Sequence, residues 1–195
     1  KVPGQIHSGN VVVVENRGEP DLSEVDGLVT DSYGVPLLLH FADCVPVIIF
    51  ETDKNLVGIV HAGWRGTAQG IAANAVKLMV EKWQARPSAM VAAVGPAIGP
   101  CCYPTDEDVV EKLMLTLSSY RNGRLEGSLV DRSGAQPRPD LKAINASQLL
   151  ACGVAEVDVC PLCTACRPDI FFSHRQSGGI TGRQGALACL SGLYK

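Results

Sequence analysis

Three residues far apart in the chain carry the side chains from which a catalytic metal centre is built: His7 in GQIHSGN, Cys44 in FADCVPV and His61 in VGIVHAGWRG. Each lies in or at the edge of an apolar run, with a glycine or a carboxylate close by. Imidazole and thiolate are donors that the borderline-soft zinc ion prefers, and three protein donors leave the fourth tetrahedral position for water or substrate. No C-x2-C or H-x3-H spacing joins the three. From spacing alone the plainer reading, two hydrogen-bonded histidines and one core cysteine, outweighs the metal.

The stretch after His61 points to an anion. Gly63 and Gly66 permit a sharp turn that exposes amide donors ahead of a helix, and Arg65 adds a forked, fixed positive charge. A second glycine-proline turn, GPAIGPCCYPT at 95–105, either closes the same pocket or is simple turn chemistry. Cys160, Cys163 and Cys166 form a C-x2-C-x2-C run that, with a fourth ligand such as Cys152, could hold a metal or an iron–sulfur cluster, although packing is the preferred reading.

These residues need elements to position them. Branched, apolar runs predict strands in NVVVVEN, PLLLHFADCVPVIIF, LVGIVH and MVAAVG, with late strands in DIFFSHRQSGG and GALACLSG. Apolar spacing predicts a helix over about 67–84, with Ile71, Ala75, Leu78 and Met79 on one face. A second helix, TDEDVVEKLMLTLSSY, opens on acidic residues, and a third, LKAINASQLLACG, ends at a glycine. RNGRLEGSLVDRSGAQPRPD is polar and rich in breakers, as expected of a surface excursion. The class is α/β, with strands running into glycine-rich turns.

The chain has 195 residues and a formal net charge of −3, which suits one domain and gives no general attraction to nucleic acid or anionic membrane. No run approaches the ~18 apolar residues of a membrane span. The start lacks a secretory apolar core, and eight scattered cysteines read as free thiols of a reducing compartment, so a cytoplasmic location is expected.

HAGWRG at 61–66, ADC at 42–44, GPAIGPCCY at 95–103 and FFSHR…TGR at 171–183, in that order, resemble the YfiH-like family. Its members have been called laccase-domain proteins, peptidoglycan editing factors and zinc-dependent purine nucleoside phosphorylases. The resemblance implies a single layered α-β-β-α domain over 1–195 with mixed sheets, a fold shared with cysteine deamidase toxins. It implies metal ligands at His7, Cys44 and His61, the trio the chemistry picks out. Family members usually carry some tens of residues before the first ligand histidine, so an N-terminal segment is expected to be lacking here.

The implied activity is phosphorolysis of adenosine, inosine or guanosine to free base and ribose 1-phosphate. Deamination of adenosine and cleavage of 5′-methylthioadenosine are implied for some members. For that chemistry Arg65 is the first candidate to hold phosphate, with Arg175 and Arg183 behind it, and Asp43 is a supporting partner or proton carrier beside a ligand. Trp64 or Phe172 could stack on a purine, although a core aromatic explains each as well. A multicopper oxidase is excluded for one chain, because a trinuclear centre plus a blue-copper site needs about ten imidazoles and the sequence has four histidines. Copper at the same trio stays possible. A metal-free hydrolase, with Cys44 as nucleophile and His61 as base, is the rival that fits peptidoglycan precursor editing.

Overall fold

A computed structural model describes residues 1–15, 21–118 and 129–192. Its centre is the strand β5, Leu56–Ala62, in which every residue is buried. That follows from a segment apolar on both faces: Leu56, Val60 and Ala62 pack into one core cluster, and Val57 and Ile59 into the other. Around it lies a six-stranded sheet in the order β1 (Val11–Val13), β2 (Gly27–Thr30), β5, β4 (Val45–Glu51), β6 (Met90–Val94), β9 (Glu156–Val159). The β1–β2 and β6–β9 pairs are parallel and the rest antiparallel, so the sheet is mixed as expected.

One face of this sheet carries the helices α1 (Trp64–Ala68), α2 (Ile71–Trp83), α3 (Glu107–Ser118) and α4 (Leu141–Ala151). The other face packs against a two-stranded sheet of β3 (Leu37–Phe41) and β10 (Gln184–Ala188), through Leu28, Val57 and Ile59 against Leu37, Leu39 and Phe41. A short ribbon of β7 (Val130–Asp131) and β8 (Arg138–Pro139) precedes α4. Asp140 caps α4 by accepting from the Ala143 amide at 3.0 Å.

Three expectations change. The run PLLLHFADCVPVIIF is two strands in two different sheets, broken at Ala42–Cys44, where Asp43 adopts φ +85°. The helix expected from 67 is also two pieces. Gly70 at φ +69° ends the short α1, and α2 then buries Ile71, Ala72, Ala75, Val76 and Met79. DIFFSHRQSGG forms turns rather than a strand, because Ser173 and Ser177 bond locally to the backbone: the Ser173 hydroxyl accepts from Gln176 N, and Ser177 donates to Ser173 O at 2.7 Å. The strands β2 and β9 were not foreseen. Of the polar excursion, residues 121–128 lie outside the described residues; the remainder carries the ribbon and the α4 cap.

Candidate functional site

Two strand ends and one chain segment bring His7, Cys44 and His61 together. His61 is the penultimate residue of β5, and Cys44 immediately precedes β4, which is paired with β5 in the register Val45↔Ala62. Their metal-binding atoms and that of His7 lie within 4.8 Å of one another. Gly63 makes the approach possible: a Cβ there would stand 2.9 Å from Cys44 Sγ and 3.0 Å from His7 Cδ2.

The residue that assembles the trio is Asp26, which the sequence reading missed. It is fully buried, and its carboxylate accepts five hydrogen bonds. Four come from the His7 segment: Ile6 N at 3.1 Å, His7 N at 3.0 Å, Ser8 N at 2.7 Å and Ser8 Oγ at 2.8 Å. The fifth comes from His61 Nδ1 at 2.8 Å. This grip holds His7 in the left-handed region at φ +65°, unusual for a side chain other than glycine. Burial presses the Asp26 pKa upward, but its donors together outweigh that and bring it to about 2. The ionised carboxylate makes His61 Nδ1 the donor and leaves Nε2 as the nitrogen facing the cluster, the arrangement that orients metal-binding histidines.

Burial also opposes charge on His61 and Cys44. Hydrogen bonds and charge from Asp26 and Cys44 override it at His61 and raise that pKa to about 9. Hydrogen bonds from His61 and His7 do the same at Cys44 and lower its thiol to about 7. A thiolate is therefore within reach near neutrality, as either a ligand or a nucleophile requires.

The trio lies in a cavity of about 580 Å³, within the range of small-molecule sites. Arg65, Arg175 and Arg183 all line it, and no carboxylate pairs with any of the three among the described residues. The Arg65 guanidinium stacks 4.4 Å from the Trp64 ring centroid, and that of Arg175 stands 5.1 Å from Tyr103. Because α1 has only five residues, the anion attraction expected of a helix start falls instead on these side chains. Trp64 lines the cavity, with Arg65 and Lys112 over its ring. Phe172 is not among the lining residues and packs over Gly182.

Asp43 is buried and fully engaged. Its Oδ1 accepts from Thr164 Oγ1 at 2.6 Å, its Oδ2 from Arg175 N at 2.7 Å, and its carbonyl from Ile98 N at 2.9 Å. It ties together the segments of Thr164, Arg175 and Ile98 beside Cys44, and the last two of these residues line the cavity. Tyr103, His40 and His174 also line the cavity and were not proposed from the sequence. The only local signal for Tyr103 was its place at the end of GPAIGPCCY. Burial, reinforced by the negative charge of Cys44, pushes the Tyr103 pKa up to about 12, so its hydroxyl stays protonated.

The C-x2-C-x2-C run is not one cluster. Cys163 and Cys166 meet Cys101 and Cys102, whereas Cys160 and Cys152 belong to no such group among the described residues.

The family described as multi-copper polyphenol oxidoreductase laccase matches residues 1–191. The purine nucleoside phosphorylase YlmD of Geobacillus stearothermophilus is 48% identical over 191 residues, 92% of this chain and 68% of that protein. A crystal structure of YlmD from the same species superposes with a TM-score of 0.84 at 39% identity, covering 97% of this chain and 73% of that one. The Bacillus subtilis purine nucleoside phosphorylase YlmD is 38% identical over 167 residues, 83% of this chain but only 57% of its own length. A protein from an unknown prokaryotic organism named adenosine deaminase RL5 is 31% identical over 207 residues, covering the whole of this chain and 74% of that protein.

Proposed function

The chain belongs to the laccase-domain, YfiH-like family, and we propose that it is a metal-dependent purine nucleoside phosphorylase of the cytoplasm, folded as one domain. One observation carries the reading: three arginines without carboxylate partners among the described residues share a cavity with a His–Cys–His donor set. The names of the relatives supply the purine nucleoside and the phosphate. All eight cysteines are unpaired, which fits a reducing compartment.

The donor set fits zinc. It offers two imidazoles and a thiol already lowered toward ionisation, with a buried carboxylate behind one imidazole, and it leaves a coordination position open. Bound by His7, Cys44 and His61, zinc would supply a Lewis acid that polarises an oxygen of substrate or water.

The chain's own residues do the remainder. Arg65, with Arg175 and Arg183, holds phosphate and spreads the charge that shifts as it attacks. The C1′–N9 bond of the nucleoside breaks, a bond from C1′ to a phosphate oxygen forms, and the departing base takes up the proton that hydrogen phosphate gives up. Tyr103 Oη, which keeps its proton, donates a hydrogen bond to that base as negative charge builds there. Asp43 acts by positioning, since both its oxygens are occupied. Deamination of adenosine would use the same centre without phosphate, a reading supported by the relative named for that activity.

The test is whether ribose 1-phosphate forms from adenosine, inosine or guanosine, with base release rising with phosphate concentration. Equal release in phosphate-free buffer overturns the proposal. It would favour the second reading that the geometry permits, a metal-free hydrolase in which Asp26, His61 and Cys44 act as orienter, base and nucleophile. A chelator abolishes the first activity and spares the second.

A further inference from the structure

We infer that Cys101, Cys102, Cys163 and Cys166 form a second metal site, a closed tetrathiolate that takes zinc and clamps the turn after β6 to the segment after β9. It is separate from the cavity centre and takes no chemical part in the reaction assigned there.

The fold delivers the four sulfurs by extending a strand pair. β6 and β9 run parallel, ending at the partners Val94 and Val159. Beyond them the two segments stay side by side. Cys160 N donates to Val94 O at 2.8 Å, Ala97 bridges to Cys163, and Thr164 N donates to Ala97 O at 3.1 Å. The first segment then winds into a short 3-10 turn, Pro100–Cys102, which presents the adjacent cysteines to Cys163 and Cys166.

The spacing suits one ion. A regular tetrahedron of sulfurs each about 2.3 Å from zinc has edges of about 3.8 Å. Cys166 Sγ lies 3.6 Å from Cys101 Sγ and 3.4 Å from Cys102 Sγ, and all four sulfurs fall within 4.8 Å of one another. A multi-iron cluster must fit its own irons and sulfides inside the cage and needs wider-set cysteines. Gly99 shapes the surroundings. Its amide donates to Cys163 Sγ at 3.2 Å, and a Cβ there would press on Cys101 Sγ at 3.3 Å. Such N–H···S bonds orient and stabilise metal-bound thiolates.

Simple packing does not explain the group. Only Cys163 is buried, while Cys101 and Cys166 are exposed. Four free thiols in contact with one another and partly open to solvent would be an oxidation hazard, whereas a bound cation makes them inert. Coordination releases the thiol protons to solvent and leaves a site with no open position. Its mechanical effect reaches the cavity. Ile98 and Thr164 hold Asp43, and Tyr103 follows Cys102 directly in the chain.

The experiment uses Cys44→Ala protein, purified without added metal, stripped and titrated anaerobically with cobalt(II), so that the cavity thiolate cannot contribute. About one cobalt per chain should bind with thiolate-to-metal charge-transfer absorption and tetrahedral d–d bands. That spectrum should disappear when Cys166→Ser or Cys101→Ser is added, with circular dichroism confirming that each variant is folded. In Cys44→Ala protein as purified, before stripping, zinc-edge X-ray absorption should contain a shell of four sulfurs at about 2.3 Å. Absence of the cobalt–thiolate spectrum in Cys44→Ala, a disulfide at Cys166 in the purified protein, or iron as the resident metal each overturns the inference. Absence of phosphorolysis in the unsubstituted protein, with the cobalt spectrum of Cys44→Ala intact, would strike only the proposed function.

Discussion

The molecule presents two donor clusters of opposite construction. In the cavity, two imidazoles and one thiol stand on three segments, backed by a buried carboxylate, with one side of the set left open to a space of about 580 Å³. At the end of the β6–β9 pair, four thiols close on one another, with backbone amides rather than a carboxylate donating to Cys163. The first arrangement suits an ion that must meet a substrate, and the second an ion that must be left alone. The difference shows in the supporting atoms. A reacting centre needs its ligands aimed, which Asp26 does through five hydrogen bonds, whereas a clamp needs only sulfurs brought within reach.

Removing a donor from the open cluster gives the largest expected effect. Cys44→Ala should abolish tight zinc binding there and lower kcat by more than about 1,000-fold, since several kcal/mol of charge stabilisation go with the metal. Zinc analysis and phosphorolysis rates check this. Full zinc and full activity in that variant would erase the contrast between the clusters. Next is Arg65→Met, expected to cost about 30- to 1,000-fold in kcat/KM for phosphorolysis. Arg65→Lys keeps the charge without the fork and should mainly raise the KM for phosphate. Zinc content should not change in either. Deamination of adenosine, which needs no phosphate, should suffer less, and equal loss of both reactions would remove Arg65 from the phosphate site.

Asp26→Asn sharpens the point about aiming. Metal affinity at the open cluster should fall about 10- to 100-fold, the usual cost of losing a carboxylate behind a metal-binding histidine. The closed cluster should keep its metal. The same residue sets an acid limit on stability. With its pKa held at about 2 in the folded protein, Asp26 stabilises the fold above the ordinary carboxylate value, and that contribution is lost as pH falls from about 4 through 2. The shift corresponds to about 2 kcal/mol. Urea unfolding of metal-free protein across that window should show the loss in the unsubstituted chain and not in Asp26→Asn. The smallest effect belongs to Cys160→Ser. It stands outside both clusters, so metal content should be unchanged and stability should move by less than about 0.5 kcal/mol.

How much of this could be read from the sequence depended on range. The strands LVGIVH and MVAAVG declared themselves by composition, and the motif order identified the family. HAGWRG and ADC are local signatures, so Cys44, His61 and Arg65 were found within a few residues of chain. Asp26 was not, because its partners lie 18 to 35 positions away and nothing within EVDGLV marks its carboxylate. The cysteine run failed the opposite way. Its regular spacing implied a unit, yet Cys160 stays with the end of β9, and the partners of Cys166 come from 64 and 65 positions upstream. DIFFSHRQSGG misled through its aromatics, whose pull toward a strand lost to serine–backbone bonds and to Asp43 taking the Arg175 amide.

The Asp26 carboxylate has a genetic consequence as well. Because one side chain serves Ile6, His7, Ser8 and His61, positions 8 and 26 cannot vary independently. A Ser8→Ala change alone should cost about 1 kcal/mol through its lost hydroxyl bond. In a chain already carrying Asp26→Asn the same change should cost less, since the charged acceptor is gone while the Asn10 amide and the Glu24 carbonyl still meet that hydroxyl. In a pairwise mutational scan the two positions would stand out as epistatic, and the loop that brings His7 to Cys44 and His61 would drift only along combinations that keep this carboxylate satisfied.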